Sequence, residues 1–341
     1  MVLRRKELQL TDGDVRISLY RPFSKQWLFF SRRLNERVYL MPSLFPRSSS
    51  TNVVISTTGV GNRDEFSAII TDAIPDLHAV DKSGGGQCFP LYLYQKVDES
   101  LGLQFDKSEV IDGYRRRDAI TDAILKIFRG AYGEGAEAVT KEDIFYYVYG
   151  VMHSPQYRTR FAADLKKMLP RIPLTKETKD FWAFSKEGRE LAQWHLNYET
   201  VTPWPVEEIH DKLDLGFEDI YKLSKMTFAR PSTEQKAAGA KWDKTCIIYN
   251  SHVAVSKIPL EAYDYVVNGK SAIEWVMERY QLTRDKDSGI VNDPNDWCKE
   301  LKQSRYIIDL VGRVVRVSME TIKIVKRLPA LNEINDAGAR T

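Results

Sequence analysis

The first hundred residues alternate short β-branched or aromatic runs with glycine, proline and serine. Short apolar runs bounded by such breakers are typical of β-strands. The predicted strands are Val15–Tyr20, Trp27–Phe30, Arg37–Met41, Asn52–Ser56 and Phe89–Tyr94. We therefore predict a β-rich N-terminal part that is built mainly of antiparallel strands.

From Asp118 onward the apolar spacing rises toward about 3.6 residues, which is the period of an α-helix. The change begins with a face that carries Ile120, Ala123, Ile124, Ile127 and Phe128. Capping side chains mark further helix starts. The predicted helix starts are Thr140 with Asp143, Ser154 with Pro155, Ser185, and Ser271 with Glu274, and the last long helix runs from Tyr306 to about Leu328, before a frayed tail beyond Pro329.

One β-hairpin is predicted among these helices. The strands Thr245–Tyr249 and Val253–Ser256 flank the turn residues Asn250-Ser251-His252, which is a strong short-range hairpin signal. The expected fold class is α+β, with a β-rich part followed by a mainly helical part that contains the hairpin. A chain of 341 residues is long enough for two packed domains or one large one.

Composition excludes several classes of protein. No apolar run approaches the roughly 20 residues that cross a bilayer. The basic start, Met1 to Lys6, is not followed by the apolar segment of a secretory signal. The three cysteines, Cys88, Cys246 and Cys298, are odd in number and far apart, which argues against a disulfide framework. We expect a cytoplasmic protein without a membrane partner.

Motifs for catalysis or cofactor binding are also missing. Gly59-Val60-Gly61 lacks the third glycine of a dinucleotide fingerprint, and no Gly-Lys-Ser/Thr phosphate loop occurs. The tetrapeptide Asn292–Asn295 lacks the second proline and the aromatic residue of a methyltransferase loop, so we interpret it as a turn. The histidines are scattered, which disfavours a metal site. We expect no catalytic residue, no cofactor and no metal ligand.

Positive charge is concentrated in short blocks, although the net charge is only +3. Such blocks are often solvated helix faces. They can also contact a polyanion, and Tyr114–Arg117 lies at a predicted strand-to-helix junction, where arginines can project. The candidate DNA-binding residues are Arg32, Arg33, Arg63, Lys82, Arg115, Arg116, Arg117, Arg158, Arg160, Lys166, Lys167 and Lys241.

Longer motifs extend over nearly the whole chain. They are Tyr20–Phe23, Trp27–Phe30, Gln87–Tyr92, Thr140–Gly150, His153–Arg158, Asp164–Pro173, Phe181–Trp182, Gly188–Ala192, Ile258–Tyr263, Val267–Ala272 and Asp287–Trp297. Together they resemble the C-terminal specificity domain, or target recognition domain, of Type ISP restriction-modification enzymes. In that family one polypeptide carries a nuclease, a translocase, a coupler, an adenine methyltransferase and this domain.

The resemblance implies sequence-specific recognition of double-stranded DNA, which directs adenine methylation and translocation-coupled cleavage by other domains. Its expected partners are DNA and the methyltransferase and translocase of the same polypeptide. It implies a junction segment at 1–45, a β-rich recognition part at 46–117 and a mainly helical part at 118–341. The stretches outside the shared motifs, roughly 47–86 and 201–243, are the expected places for specificity.

Two other functions stay open at this point. The chain could be a protein-docking module that positions the methyltransferase and translocase without reading DNA. It could also be a nuclease with an unrecognised site, because Glu177-Thr178-Lys179 or Glu234-Gln235-Lys236 could supply half of a metal-dependent centre, although such tripeptides also occur by chance.

Overall fold

The computed structural model describes residues 13–32, 34–35, 37–80, 84–97, 110–133, 136–211 and 216–333. Within these ranges the strands are β1 Val15–Arg21, β2 Ser24–Phe29, β3 Val54–Thr57, β4 Ala68–Thr71, β5 Ile74–Pro75, β6 Gln87–Pro90, β7 Tyr92–Lys96, β8 Val110–Ile111, β9 Tyr114–Asp118, β10 Glu207–His210, β11 Thr227–Ala229, β12 Asp243–Ile248, β13 Val253–Ser256, β14 Val266–Val267, β15 Lys270–Ser271, β16 Thr283–Arg284 and β17 Val291–Asn292. The helices are α1 Met41–Leu44, α2 Asp122–Tyr132, α3 Lys141–His153, α4 Pro155–Arg160, α5 Ala162–Leu165, α6 Thr178–Leu196, α7 Phe217–Ile220, α8 Thr233–Ala237, α9 Ala272–Arg279, α10 Pro294–Glu300 and α11 Tyr306–Arg327, and a 3-10 helix spans Leu260–Asp264.

The strands form several small sheets rather than one large one. Three three-stranded sheets lie in the N-terminal part, in the orders β2-β1-β5, β4-β3-β6 and β7-β9-β8. A four-stranded antiparallel sheet, β10-β13-β12-β11, lies among the later helices. The predicted hairpin forms the two central strands of this sheet.

Two large hydrophobic cores meet at β4. Ile69 packs in a core with α9, α11 and the four-stranded sheet, whereas Ile70 packs in a second core with α2, α3 and α6. Successive side chains of a strand point to opposite faces. The single strand β4 therefore contributes to both cores.

Helices α3 and α6 cross at unusually short distance because each has a glycine at the crossing. An ideal Cβ on Gly188 would lie 2.0 Å from the Tyr146 carbonyl oxygen, and one on Gly150 would lie 2.3 Å from the Phe184 carbonyl oxygen. The two backbones are in direct contact here, and no larger residue fits.

The α+β class and most helix starts are confirmed. Capping boxes form at Thr140 with Asp143 and at Ser271 with Glu274, and Ser154 caps α4 with Pro155 at its first turn. The last helix ends at Arg327, one residue before the predicted end. These signals are local, so each could be identified without knowledge of the tertiary fold.

Three strand and tail predictions were wrong. Residues 37–41 are not a strand, because Tyr39 has a positive φ of 44° and Met41 begins α1. The run 89–94 is divided at Leu91 between β6 and β7, which belong to different sheets. The predicted frayed tail is wrong for residues 330–333, because Glu333 bridges to Thr175 and Leu331 is buried. The rest of the predicted tail lies outside the described residues.

Two helix predictions and one turn prediction also need correction. Ser185 does not open α6, which begins at Thr178; its hydroxyl instead donates to the Asp143 carbonyl oxygen at 2.9 Å. The helix that starts at Pro155 is short, because α4 ends at Arg160 and Phe161 separates it from α5. In α2, Ile124 and Ile127 are exposed, although Phe128 is buried. Asn292–Asn295 is not only a turn, because Asp293 caps α10.

Candidate nucleic-acid interface

The arginines of β9 lie on both faces of a small antiparallel sheet. Strand β9 pairs with β7 so that Arg116 is opposite Tyr94 and Arg117 is opposite Leu93. Cross-strand partners share a face, and neighbours along a strand alternate. Arg116 is therefore on one face, and Arg115 and Arg117 are on the other.

The face that carries Arg116 also carries three tyrosines, and we call it the Arg–Tyr face. The name refers to Tyr92, Tyr94, Tyr114 and Arg116, together with Arg47 from the loop before β3. The register places Lys96 and Asp118 on the same face. The Arg116 guanidinium carbon lies 4.2 Å from the centre of the Tyr92 ring. The Arg47 guanidinium carbon lies 5.6 Å from the centre of the Tyr114 ring. Both distances are typical of cation–π contacts.

The loop that carries Arg47 is fixed to this sheet by two hydrogen bonds. The Tyr94 hydroxyl donates to the Thr51 carbonyl oxygen at 2.6 Å, and the Ser49 hydroxyl donates to the Asp112 carboxylate at 2.7 Å. Asp112 and Gly113 both have positive φ, as the two-residue turn of a tight hairpin requires. The loop and the β8–β9 turn therefore hold each other in place.

A second basic group lies where two loops meet. The Gly61 amide donates to the Lys166 carbonyl oxygen at 2.9 Å, which brings the loop of Arg63 beside Lys166 and Lys167. All three side chains are exposed. This contact brings the loop of Arg63 close to two candidates that follow it by about a hundred residues in the sequence.

The two candidates on α4 are partly engaged within the protein. The Arg158 Nε donates to the Met152 carbonyl oxygen at 2.7 Å, and burial lowers the pKa of this guanidinium. Arg160 forms an ion pair with Glu333. Both side chains already have partners in the protein, so they are less available for phosphate than the exposed lysines that follow α5.

The remaining candidates are separate from these groups in the fold. Arg32 is exposed after β2, and Lys241 is exposed between α8 and β12. Arg33 and Lys82 lie outside the described residues.

Other kinds of site have little support among the described residues. No three His, Cys, Asp or Glu side chains in these ranges come together as metal ligands. All three cysteines are free thiols, and burial raises the pKa of Cys88 to about 11, which disfavours the reactive thiolate. No helix in the described ranges combines the length and apolar character needed to cross a membrane.

The Arg–Tyr face was only partly predictable. The sequence predicts the basic block Arg115–Arg117, but its charge pattern does not single out Arg47 or the tyrosine rings. The sequence does contain a pattern that indicates the shared face. Tyr92, Tyr94 and Lys96 occupy every second position of one strand, and Tyr114 and Arg116 do the same in another. Period-two alternation predicts a shared face, but it does not reveal which loop covers it.

The fold and this surface define an α+β module in which exposed arginines form cation–π contacts with tyrosine rings. A family model for the Type ISP C-terminal specificity domain matches residues 1–310. The chain belongs to this family of DNA-specificity domains from restriction-modification enzymes. No curated protein matches the chain.

Three solved structures support this assignment. The chain is 33% identical to the Type ISP restriction-modification enzyme LlaGI, which was solved as a nuclease-deletion mutant with a DNA substrate mimic, with a TM-score of 0.75 over 97% of this chain and 26% of LlaGI. It is 31% identical to the ATP-dependent Type ISP enzyme LlaBIII bound to DNA, with a TM-score of 0.79 over 97% of this chain and 19% of LlaBIII. It is 32% identical to DrdV in a DNA complex, with a TM-score of 0.77 over 96% of this chain and 29% of DrdV. The chain thus spans less than a third of the length of each of these three proteins.

Proposed function

We propose that this chain binds double-stranded DNA and reads a short sequence in it, as the specificity part of a Type ISP restriction-modification enzyme. The observation that carries the proposal is the Arg–Tyr face, whose two arginines are exposed and lie over rings. The family assignment supports it, and so do the three structural neighbours, which were solved with DNA.

The other activities belong to the rest of such an enzyme. We propose that adenine methylation and ATP-driven cleavage are carried out by parts outside this chain, which act on DNA in the cytoplasm. We also propose that the chain is divided into a junction at 1–45, a β-rich recognition part at 46–117 and a mainly helical part at 118–341. In this arrangement the recognition part includes the whole Arg–Tyr face.

A selection from random duplexes tests sequence reading directly. The full chain is incubated with a pool of duplex DNA, bound molecules are recovered over several rounds, and the enriched sequences are read. We expect one short asymmetric sequence to emerge, with affinity that falls steeply with salt because phosphate contacts release counterions. A pool that stays random at every salt concentration would reject sequence reading.

Replacing Arg115, Arg116 and Arg117 together with alanine separates DNA binding from protein docking. Loss of phosphate or base contacts should weaken DNA binding, and the log–log salt slope should fall by about 0.9 for each phosphate contact removed. The measurement is fluorescence anisotropy with the selected duplex at several salt concentrations. Unchanged affinity and slope would favour the docking module.

A triple variant with the same charge change provides the control. Lys299, Lys323 and Arg327 each pair with a carboxylate on a helix surface, so their charges are already balanced within the protein. Replacing these three with alanine should leave DNA affinity nearly unchanged. Equal losses in both triple variants would indicate only a general charge effect.

A further inference from the structure

Stacked arginines are common in this protein, but most have their donors occupied. Arg189 lies 4.2 Å from the centre of the Tyr146 ring and pairs with Glu142 and Asp143. Arg16 lies over Phe30 and donates to the backbone carbonyl of Gly13. The other stacked arginines with a carboxylate partner are Arg21, Arg160, Arg279, Arg305 and Arg316.

Arg47 and Arg116 differ from this group. Among the arginines that lie over rings in the described ranges, these two have neither a carboxylate partner nor a hydrogen-bond acceptor for the guanidinium. Both side chains are exposed and belong to one face. Each guanidinium is therefore held by a ring while its N–H donors stay available to a ligand.

From this geometry we infer that Arg47 and Arg116 each read a guanine in the recognised DNA. The inference rests on the proposed function and adds the two residues that specify base pairs. A guanidinium presents a planar fork of donors that matches the O6 and N7 acceptors of guanine in the major groove. A ring beneath the guanidinium limits its motion, so less conformational freedom is lost when the fork binds.

The neighbouring arginines do not share this arrangement. Arg117 is exposed but lies on the opposite face of β9, beside Leu93. Arg63 lies in the loop beside Lys166. We assign these two to sequence-independent phosphate contact, for which charge matters more than orientation.

The test replaces each arginine with lysine, which keeps the charge and loses the fork. The full-chain variants Arg47→Lys and Arg116→Lys are each taken through the random-duplex selection. Each variant should lose the preference for one G·C pair and keep the rest of the selected sequence. Affinity for the wild-type duplex should fall by about 5- to 150-fold, whereas affinity for a scrambled duplex should be unchanged.

Two further variants make the result specific. Arg327→Lys should select the same sequence as the wild type, because Arg327 lies outside the Arg–Tyr face and pairs with Glu187 and Glu190. Tyr114→Leu removes the ring beneath Arg47 and should weaken the same G·C preference that Arg47→Lys abolishes. Thermal unfolding of each variant checks that the fold is retained.

The outcomes distinguish this inference from the proposed function. If the wild type selects a sequence but Arg47→Lys and Arg116→Lys weaken specific and scrambled duplexes equally, the two arginines contact phosphate and the inference is wrong. It is also wrong if the variants bind as the wild type does, or if the selected sequence contains no guanine. If the wild type selects nothing, the proposed function itself fails.

Discussion

Replacing Gly188 with alanine is expected to destabilise the protein by about 3 kcal/mol, the upper end of typical overpacking costs. The new Cβ would lie 2.0 Å from the Tyr146 carbonyl oxygen and 2.7 Å from the Gly150 amide nitrogen. Both atoms are backbone, so no side-chain rotation can relieve the clash. Helices α3 and α6 would have to separate, and the packing of the core between them would be lost.

The same substitution in an open helix provides a matched control. Gly130 lies in α2, is exposed, and has nothing within 4 Å of an ideal Cβ. Alanine there should stabilise the protein by up to about 1 kcal/mol, because alanine has the higher helix propensity. Urea unfolding of both variants gives the comparison. Equal shifts of the same sign would show that the crossing is not as tight as the structure indicates.

The glycine pair shows why sequence alone could not define this part of the fold. Gly150 and Gly188 lie inside helical patterns, where a glycine by itself lowers confidence in a helix. Each position needs glycine because the backbone of the other helix crosses there, and the two glycines are 38 residues apart in sequence. No local sequence pattern reveals such a crossing. By contrast, the capping box of Thr140 with Asp143 spans only four residues and was predictable.

The misplaced start of α6 has the same physical origin. Ser185 is a good capping residue in isolation, so the sequence predicts a helix start there. In the fold its hydroxyl donates to the Asp143 carbonyl oxygen at 2.9 Å, so it joins α6 to α3. A serine can therefore satisfy its hydrogen bond across a helix interface, and only the tertiary structure decides between the two roles.

The candidate interface was predictable in its charge but not in its geometry. The block Arg115–Arg117 is evident in the sequence, yet it splits between two faces once β9 pairs with β7. Arg47 reaches Tyr114 through a fold contact between residues far apart in the chain. Strand register and loop position therefore determine which arginines contact aromatic rings. Amino-acid composition alone does not predict these contacts.

We expect a buried pair of histidines to make the stability of the protein sensitive to acid. His195 is 4% exposed and lies between the Tyr149 hydroxyl, 2.6 Å from Nδ1, and the Thr321 hydroxyl, 2.8 Å from Nε2. His153 is 3% exposed, and its ring centre is 5.6 Å from that of His195. Because α3, α6 and α11 all contribute to this cluster, a charge placed in it would affect the packing of three helices.

Burial and the nearby Arg158 lower the pKa of His195 to about 3. Burial, followed by Arg158 and His195, also lowers the pKa of His153 well below its usual value. In the unfolded chain a histidine titrates near pH ~6.5. The unfolded state therefore binds protons that the folded state does not, and stability is lost as the pH falls below about 6.5.

We expect each buried histidine to reduce the free energy of unfolding by roughly 2 kcal/mol between about pH 7.5 and about pH 5, at ~1.4 kcal/mol per pH unit below the unfolded pKa. The measurement is urea unfolding of the wild type, His195→Gln and His153→Gln at both pH values. Carboxylates contribute equally to all three proteins, so the difference in pH-dependent loss isolates each imidazole. Each glutamine variant should lose about 2 kcal/mol less than the wild type on acidification, even if it is less stable at neutral pH. A glutamine variant that loses as much as the wild type would show that its imidazole is not held neutral in the fold.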